Sequence, residues 1–143
     1  MAEFHRRESA ALAMGGSAKL ARRKAQGVLN ARERIDYLCD PGSFIESGLF
    51  GTSATNAADR DKTPADGKIA GFGRIQSRET ALVVNDFTVM GASSSSTNGR
   101  KIAHMKQVAT RRGLPLVFLG ESSGARMPDT MGSRGMGALL GND

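Results

Sequence analysis

Gly120-Glu-Ser122-Ser-Gly124 is the segment of this 143-residue chain whose residue types and spacing come nearest to a reaction centre. It follows the apolar run Leu116-Val-Phe-Leu119 and matches a Gly-x-Ser-x-Gly elbow, in which a sharp strand-to-helix turn presents a nucleophilic serine. That chemistry needs an acid and then a histidine later in the chain, and an immediate helix. His5 and His104 both precede Ser122, and Pro128 disfavours the helical state at Met127. A serine without a base is a poor nucleophile near neutral pH. The same loop can act through its backbone instead. A turn through Ser123, Gly124 and Ala125 has little side-chain bulk, so its N–H groups can point at a developing negative charge. Preorganised donors of this kind are each worth about 3 kcal/mol in acyl-transfer chemistry. They suit thioesters, where an enolate oxygen must be stabilised and no side-chain base is required. The plain alternative is an ordinary tight loop.

Other motifs are weaker. The serine run at 93–96 reads first as a helix start with hydroxyl caps, and second as donors to a phosphate or pantetheine group. Gly71-Phe-Gly73 lacks the third glycine of a dinucleotide fingerprint and does not open a helix, so close packing in a strand explains it better. Cys39 is the single cysteine, so no internal disulfide forms, no zinc-type cluster is expected, and a reducing compartment is implied.

The elements that would position the 120–126 loop follow from periodicity. Lys68 to Ile75 and Thr80 to Asn85 read as strands, and a helix is expected from about Arg100 to Arg112, stopped by Gly113. On that helix Ile102, Met105 and Ala109 share one face. Leu116 to Leu119 reads as a buried strand, and a further helix is expected from near Ser133. Strand, helix, strand, helix argues for an α/β fold with parallel pairing. Ligands then collect at the carboxyl ends of the strands, where the loops at 86–99 and 120–132 lie side by side. Upstream, residues 1–16 read as a frayed lead-in, and a basic helix spans about 17–26 with Ser17 as a candidate cap. Asn30 and Glu33 form a capping box for a second helix with an apolar stripe of Ala31, Ile35, Leu38 and Cys39.

Composition bounds the classes. The net charge of +6 lies in the N-terminal arm: residues 1–34 hold 8 Lys/Arg against 3 Asp/Glu. Such a run is a solvated helix face, or a surface for phosphate groups. Nucleic-acid binding would want interleaved aromatics, and the arm offers only Phe4. With no membrane-length apolar run and no secretory or transit signal, the expected location is cytoplasmic.

Asn30-Ala-Arg-Glu-Arg-Ile-Asp with Asp40-Pro-Gly-Ser-Phe, Asn85-Asp-Phe-Thr-Val-Met-Gly-Ala-Ser and Glu121-Ser-Ser-Gly-Ala-Arg stand in one order along the chain. Together they resemble the biotin-dependent acyl-CoA carboxyltransferases, the group of the propionyl-CoA and methylcrotonyl-CoA carboxylase β subunits, from about Gly16 onward. The resemblance implies a crotonase-like (ClpP/crotonase) fold of ββα units. It implies transfer of a carboxyl group from carboxybiotin, carried on a separate biotin carrier protein, to the α-carbon of an acyl-CoA. Ser123, Gly124 and Ala125 would supply backbone oxyanion donors. Phe87, Thr88, Gly91, Ser93 and Arg100 would help hold coenzyme A, and no metal is implied. A biotin carboxylase or biotin carrier subunit and further copies of the chain are the expected partners. One departure is Ser123, where many members have a second glycine. Another is length: members are several-fold longer, and by this comparison residues 17–143 are the N-terminal part of a carboxyltransferase domain. The second glycine-rich loop would lie beyond Asp143, so the chain alone is expected to be catalytically silent. The alternatives are a non-catalytic acyl-CoA-binding remnant or scaffold, and a serine hydrolase fragment using Ser122.

Overall fold

In the computed structural model, which describes residues 1–55, 57–131 and 137, the segment expected as a frayed lead-in holds a helix, α1 (Ala2–Leu12). Its alanines favour the helical state, and Glu3 pairs with Arg6 one turn on at 2.9 Å. Buried Ala11 and Met14 anchor it to the body of the protein. Helix α2 (Ser17–Ala25) follows, with Gly16 at φ 93° as its cap in place of Ser17 and Gly27 at φ 69° beyond its end. None of its residues is buried. Helix α3 (Ala31–Leu38) begins at the expected capping box, in which Glu33 N–H donates to Asn30 Oδ1 and Asn30 N–H to Glu33 Oε2.

Four strands form one sheet in chain order: β1 (Ile45–Ser47), β2 (Lys68–Ile75), β3 (Arg78–Asn85) and β4 (Leu116–Leu119). The first three pair antiparallel, and β3 pairs parallel with β4. Gly71 faces Glu46 across β1 and β2, where a side chain would run into the Ile45 carbonyl and the Phe44 ring. Close strand approach, and not ligand contact, accounts for that glycine. The β2–β3 turn places Gln76 and Ser77 at φ 50° and 67°. Asp40 offsets that strain by accepting both their N–H groups at 3.0 and 2.8 Å.

The parallel pair needs a crossover, supplied by helix α4 (Ser96–Arg112). It starts four residues earlier than periodicity alone suggests, because Ser95 caps it by accepting from Asn98 N–H, and Gly113 at φ 64° ends it. Successive strand residues point to opposite faces and so build two cores. Ile69, Leu82 and Val84 pack with Met14, Ala31, Ile35 and Cys39 on the α3 side. Ala70, Ala81 and Val83 pack with Met105 and Ala109 on the α4 side.

β4 departs from its expected burial. Phe118 is 46% exposed and the rest of the strand is half-buried, because β4 stands at the end of the strand order and pairs with β3 alone among the described residues. After it, a single helical turn, α5 (Met127–Thr130), closes the described region. The helix expected from Ser133 lies outside the described residues. No helix among the described residues is long and apolar enough to cross a membrane.

Candidate functional site

Because β3 and β4 run parallel as neighbours, the loops leaving their carboxyl ends lie against one another. Backbone bonds close them together: Ser123 N–H donates to Gly91 O at 2.9 Å, Ser94 N–H to Gly124 O at 2.8 Å, and Arg126 N–H to Ser94 O at 2.8 Å. Gly91, at φ 61°, packs against the Ser123 side chain where a Cβ would not fit. Asn85 Nδ2 donates to Glu121 O at 3.0 Å from the end of β3.

This arrangement separates the three expected backbone donors. The Ser123 amide is engaged by Gly91 O, and the Gly124 amide donates to Ser122 Oγ at 3.1 Å. Ala125 forms a parallel bridge with Ser94, whose two bonds run through Gly124 O and Arg126 N–H. In such a bridge the bridging residue's own N–H faces away. Among the described residues it meets no acceptor, and Ala125 is exposed. Ser122 Oγ itself donates to Ala92 O at 3.1 Å. The two histidines stand on α1 and α4.

The residues expected around coenzyme A are brought together only in part. Phe87 is 38% exposed, with the Arg23 guanidinium 5.3 Å from its ring centre. Thr88 is buried; its hydroxyl accepts from Gly15 N–H at 2.9 Å and donates to Asp86 Oδ1 at 2.5 Å. Ser93 is buried, with its Oγ accepting from Arg126 Nε at 3.2 Å. Gly91 lies between Phe87 and Ser93 in the same loop. Arg100 is exposed on α4 and lines a cavity of about 320 Å³ with Ser47, Thr97, Lys101 and His104, apart from the other four.

A buried ionic cluster beneath the loops was not foreseen. Arg126, 2% exposed at its side chain, bonds Asp66 Oδ1 at 2.5 Å and Asp129 Oδ2 at 3.1 Å. Asp66 also accepts from Ser95 Oγ and from Asn98 N–H. Lys68 Nζ donates to Ala92 O at 2.7 Å, and Lys101 Nζ to Ala65 O at 2.8 Å and to Lys68 O. Burial pushes both lysines down to about 8, against the pull of Asp66 and, for Lys101, of Glu46. Burial likewise raises the Asp86 carboxyl, opposed by bonds from Thr88. The only local sign in the sequence was the three-residue spacing of Arg126 and Asp129. Among the described residues no three His, Cys, Asp or Glu side chains are placed to hold a metal.

Comparison with known proteins identifies relatives of the chain. The model of the carboxyl transferase domain matches residues 22–143. The chain is 39% identical over 127 residues to the mitochondrial propionyl-CoA carboxylase beta chain of Sus scrofa, covering 86% of this chain and 24% of that one. It is 34% identical over 142 residues to the propionyl-CoA carboxylase beta chain of Saccharopolyspora erythraea, covering 98% of this chain and 26% of that one. It therefore spans about a quarter of the length of these curated relatives. Among solved structures it resembles transcarboxylase 12S, a hexamer with methylmalonyl-coenzyme A and methylmalonic acid bound. The TM-score is 0.84 and the identity 34%, over 95% of this chain and 27% of that one. It also resembles the P. aeruginosa geranyl-CoA carboxylase beta subunit, with a TM-score of 0.76 and 27% identity, over 96% of this chain and 26% of that one. The mixed α/β fold is thus that of the crotonase-like carboxyltransferases.

Proposed function

The chain belongs to the carboxyl transferase domain family, and from that premise we propose that it is part of the carboxyltransferase component of a biotin-dependent acyl-CoA carboxylase. The observation that carries the mechanism is the Ala125 N–H, which meets no acceptor among the described residues, at the junction of two glycine-containing loops. An exposed amide fixed by its neighbours' bonds suits a thioester oxygen that gains negative charge as the α-carbon becomes nucleophilic. Its donor is oriented before reaction, so little reorganisation is needed as charge develops, and one such donor lowers a barrier by about 3 kcal/mol. Ser123 and Gly124 then act by shaping the turn, their own amides being engaged. A second donor would come from another segment or a partner chain. Carboxybiotin on a carrier protein would supply the carboxyl group; the exposed loop face leaves the Ala125 amide open to an acyl-CoA. Gly91, through Ser123 N–H, and Ser93, through Arg126 Nε, are the members of the coenzyme A set bonded directly to this loop. A biotin carboxylase or carrier subunit and further copies of the chain are the partners this reading requires.

Titration of the 143-residue chain with acetyl-CoA and propionyl-CoA, read by calorimetry and by amide NMR, tests the reading. Binding is expected, with the Ala125 amide resonance moving more than that of Ser123. Binding of neither thioester, or binding that leaves Ala125 unmoved, removes it. No carboxylation is expected from this chain alone with carboxybiotin, and turnover would contradict that part. Labelling of Ser122 by a fluorophosphonate would favour hydrolase chemistry instead.

A further inference from the structure

We propose that Arg23 of α2 is a positioning residue that sets the spacing of the two site loops by holding one residue of each. The proposal rests on the reading of those loops given above. Helix α2 has no fully buried residue and meets the core only through half-buried Leu20, so hydrophobic contact alone does not fix how it faces the loops. Its polar side chains reach them as well. Arg23 makes a two-pronged bond to Glu121, Nη1 to Oε1 at 2.8 Å and Nη2 to Oε2 at 2.7 Å. The same guanidinium lies over the Phe87 ring at 5.3 Å. Lys19, one turn earlier, donates to Thr88 O at 3.0 Å, and Gly15 N–H to Thr88 Oγ1 at 2.9 Å.

One planar group therefore touches both loops, through Phe87 after β3 and Glu121 after β4. Planarity matters: a fork that matches a carboxylate edge-on can stack face-on against a ring, and an ammonium group cannot do both. Arg34 of α3 donates to the same Glu121 carboxylate at 2.9 Å. Loss of Arg23 thus leaves Glu121 paired, and the loss falls on the link between the loops. Arg23 is thus not a free solvated cation of the basic N-terminal arm. Arg23 is 15% exposed at its side chain, whereas Arg22 beside it is exposed.

Amide exchange of the whole chain without ligand, for Arg23→Ala against Arg22→Ala, tests the proposal. The bonded amides of Thr88, Val89 and Ala92 in one loop and of Ser123 and Gly124 in the other are expected to exchange about tenfold faster in Arg23→Ala while β2 and β3 keep their protection, the loss matching one charge-assisted contact. Arg22→Ala should match the parent protein, and Arg23→Lys should recover the Glu121 loop more than the Phe87 loop. Equal protection in the two alanine variants overturns the proposal. So does a loss spread evenly over the sheet, which would mark a general stabilising contact. If Arg23→Ala does not fold, Glu121→Gln keeps the shape and removes the charge. Loosening of both loops is then expected, and loosening of 121–125 alone overturns the idea. A parallel titration with propionyl-CoA separates the two readings. If the parent chain binds no thioester, the proposed function fails while exchange still decides the role of Arg23. If it binds, Arg23→Ala should weaken binding about tenfold, and unchanged affinity counts against positioning.

Discussion

Arg126 and Asp66, 60 positions apart in the chain, meet as a buried ion pair with Nη1 2.5 Å from Oδ1. Arg126 immediately follows Ala125, and its own N–H bonds Ser94 O. The side chain is held from below by Asp66, Asp129 and Ser93 while the main chain is held from the side by Ser94. Ala125 is thus fixed at its C-terminal peptide by a residue with no freedom to turn. This anchor joins the loop to Asp66, in the segment that precedes β2.

Removing the guanidinium should be among the most damaging single changes. Arg126→Leu leaves Asp66 and Asp129 buried together without the guanidinium that bonds them both. Breaking a buried pair from one side costs about 3–5 kcal/mol. Denaturant unfolding of the variant against the parent protein measures it. A cost within about 0.5 kcal/mol of zero, the range of an ordinary surface change, would show that Asp66 and Asp129 do not need it.

Glu121 should make stability depend on acid. The bonds from Arg23, then from Arg34, hold its carboxyl below the ordinary value of 4.5, against the effect of burial. Its folded pKa is therefore lower than its unfolded one. The stabilisation is full above the unfolded value and is lost as pH falls through the folded value. Urea midpoints from about pH 6 to about pH 3 should fall more steeply for the parent protein than for Glu121→Gln, and the difference should shrink in high salt.

Lys68 and Lys101 give the opposite edge of the profile. Each titrates in the folded chain at about 8 against an ordinary 10.5. Between those values the unfolded chain holds protons that the folded chain has released. Their contribution to folding stability therefore rises with pH across that window. NMR of side-chain-labelled lysine should show two groups titrating near 8, one lost in Lys68→Met and the other in Lys101→Met. Both titrating with the exposed lysines would refute the burial account.

The strands, the capping box at Asn30 and the apolar face of α4 were legible because each is written in neighbouring residues. The apolar run Ala81-Leu-Val-Val84 marks β3, and the Asn30–Glu33 spacing marks the start of α3. The meeting of the loops after β3 and β4 was legible from strand order. The Arg126–Asp66 pair was not, since nothing local joins residues 60 apart. Nor was the contact of Arg23 with Glu121, because charges on an otherwise polar helix read as solvated until a partner loop is in place. Helix α1 was missed for a related reason: what anchors it is the burial of Ala11 and Met14 against distant segments. The expected burial of Leu116–Leu119 failed because an apolar run does not say how many neighbours its strand has.

Glycine to alanine should have opposite signs at two positions, by geometry. At Gly71 a Cβ would meet the Ile45 carbonyl oxygen of the paired strand and the Phe44 ring. Backbone of an adjacent strand cannot retreat without breaking the ladder, so Gly71→Ala should cost about 1–3 kcal/mol, the range for overpacking. At Gly99, inside the first turns of α4, a Cβ would meet nothing within 4 Å and the backbone is helical. Gly99→Ala should therefore stabilise by about 0.5–1 kcal/mol through reduced chain entropy and better helix propensity. Thermal unfolding of the two variants side by side reads both signs. If Gly71→Ala were neutral, β1 could not be packed against β2 as closely as the Glu46–Gly71 pairing places it.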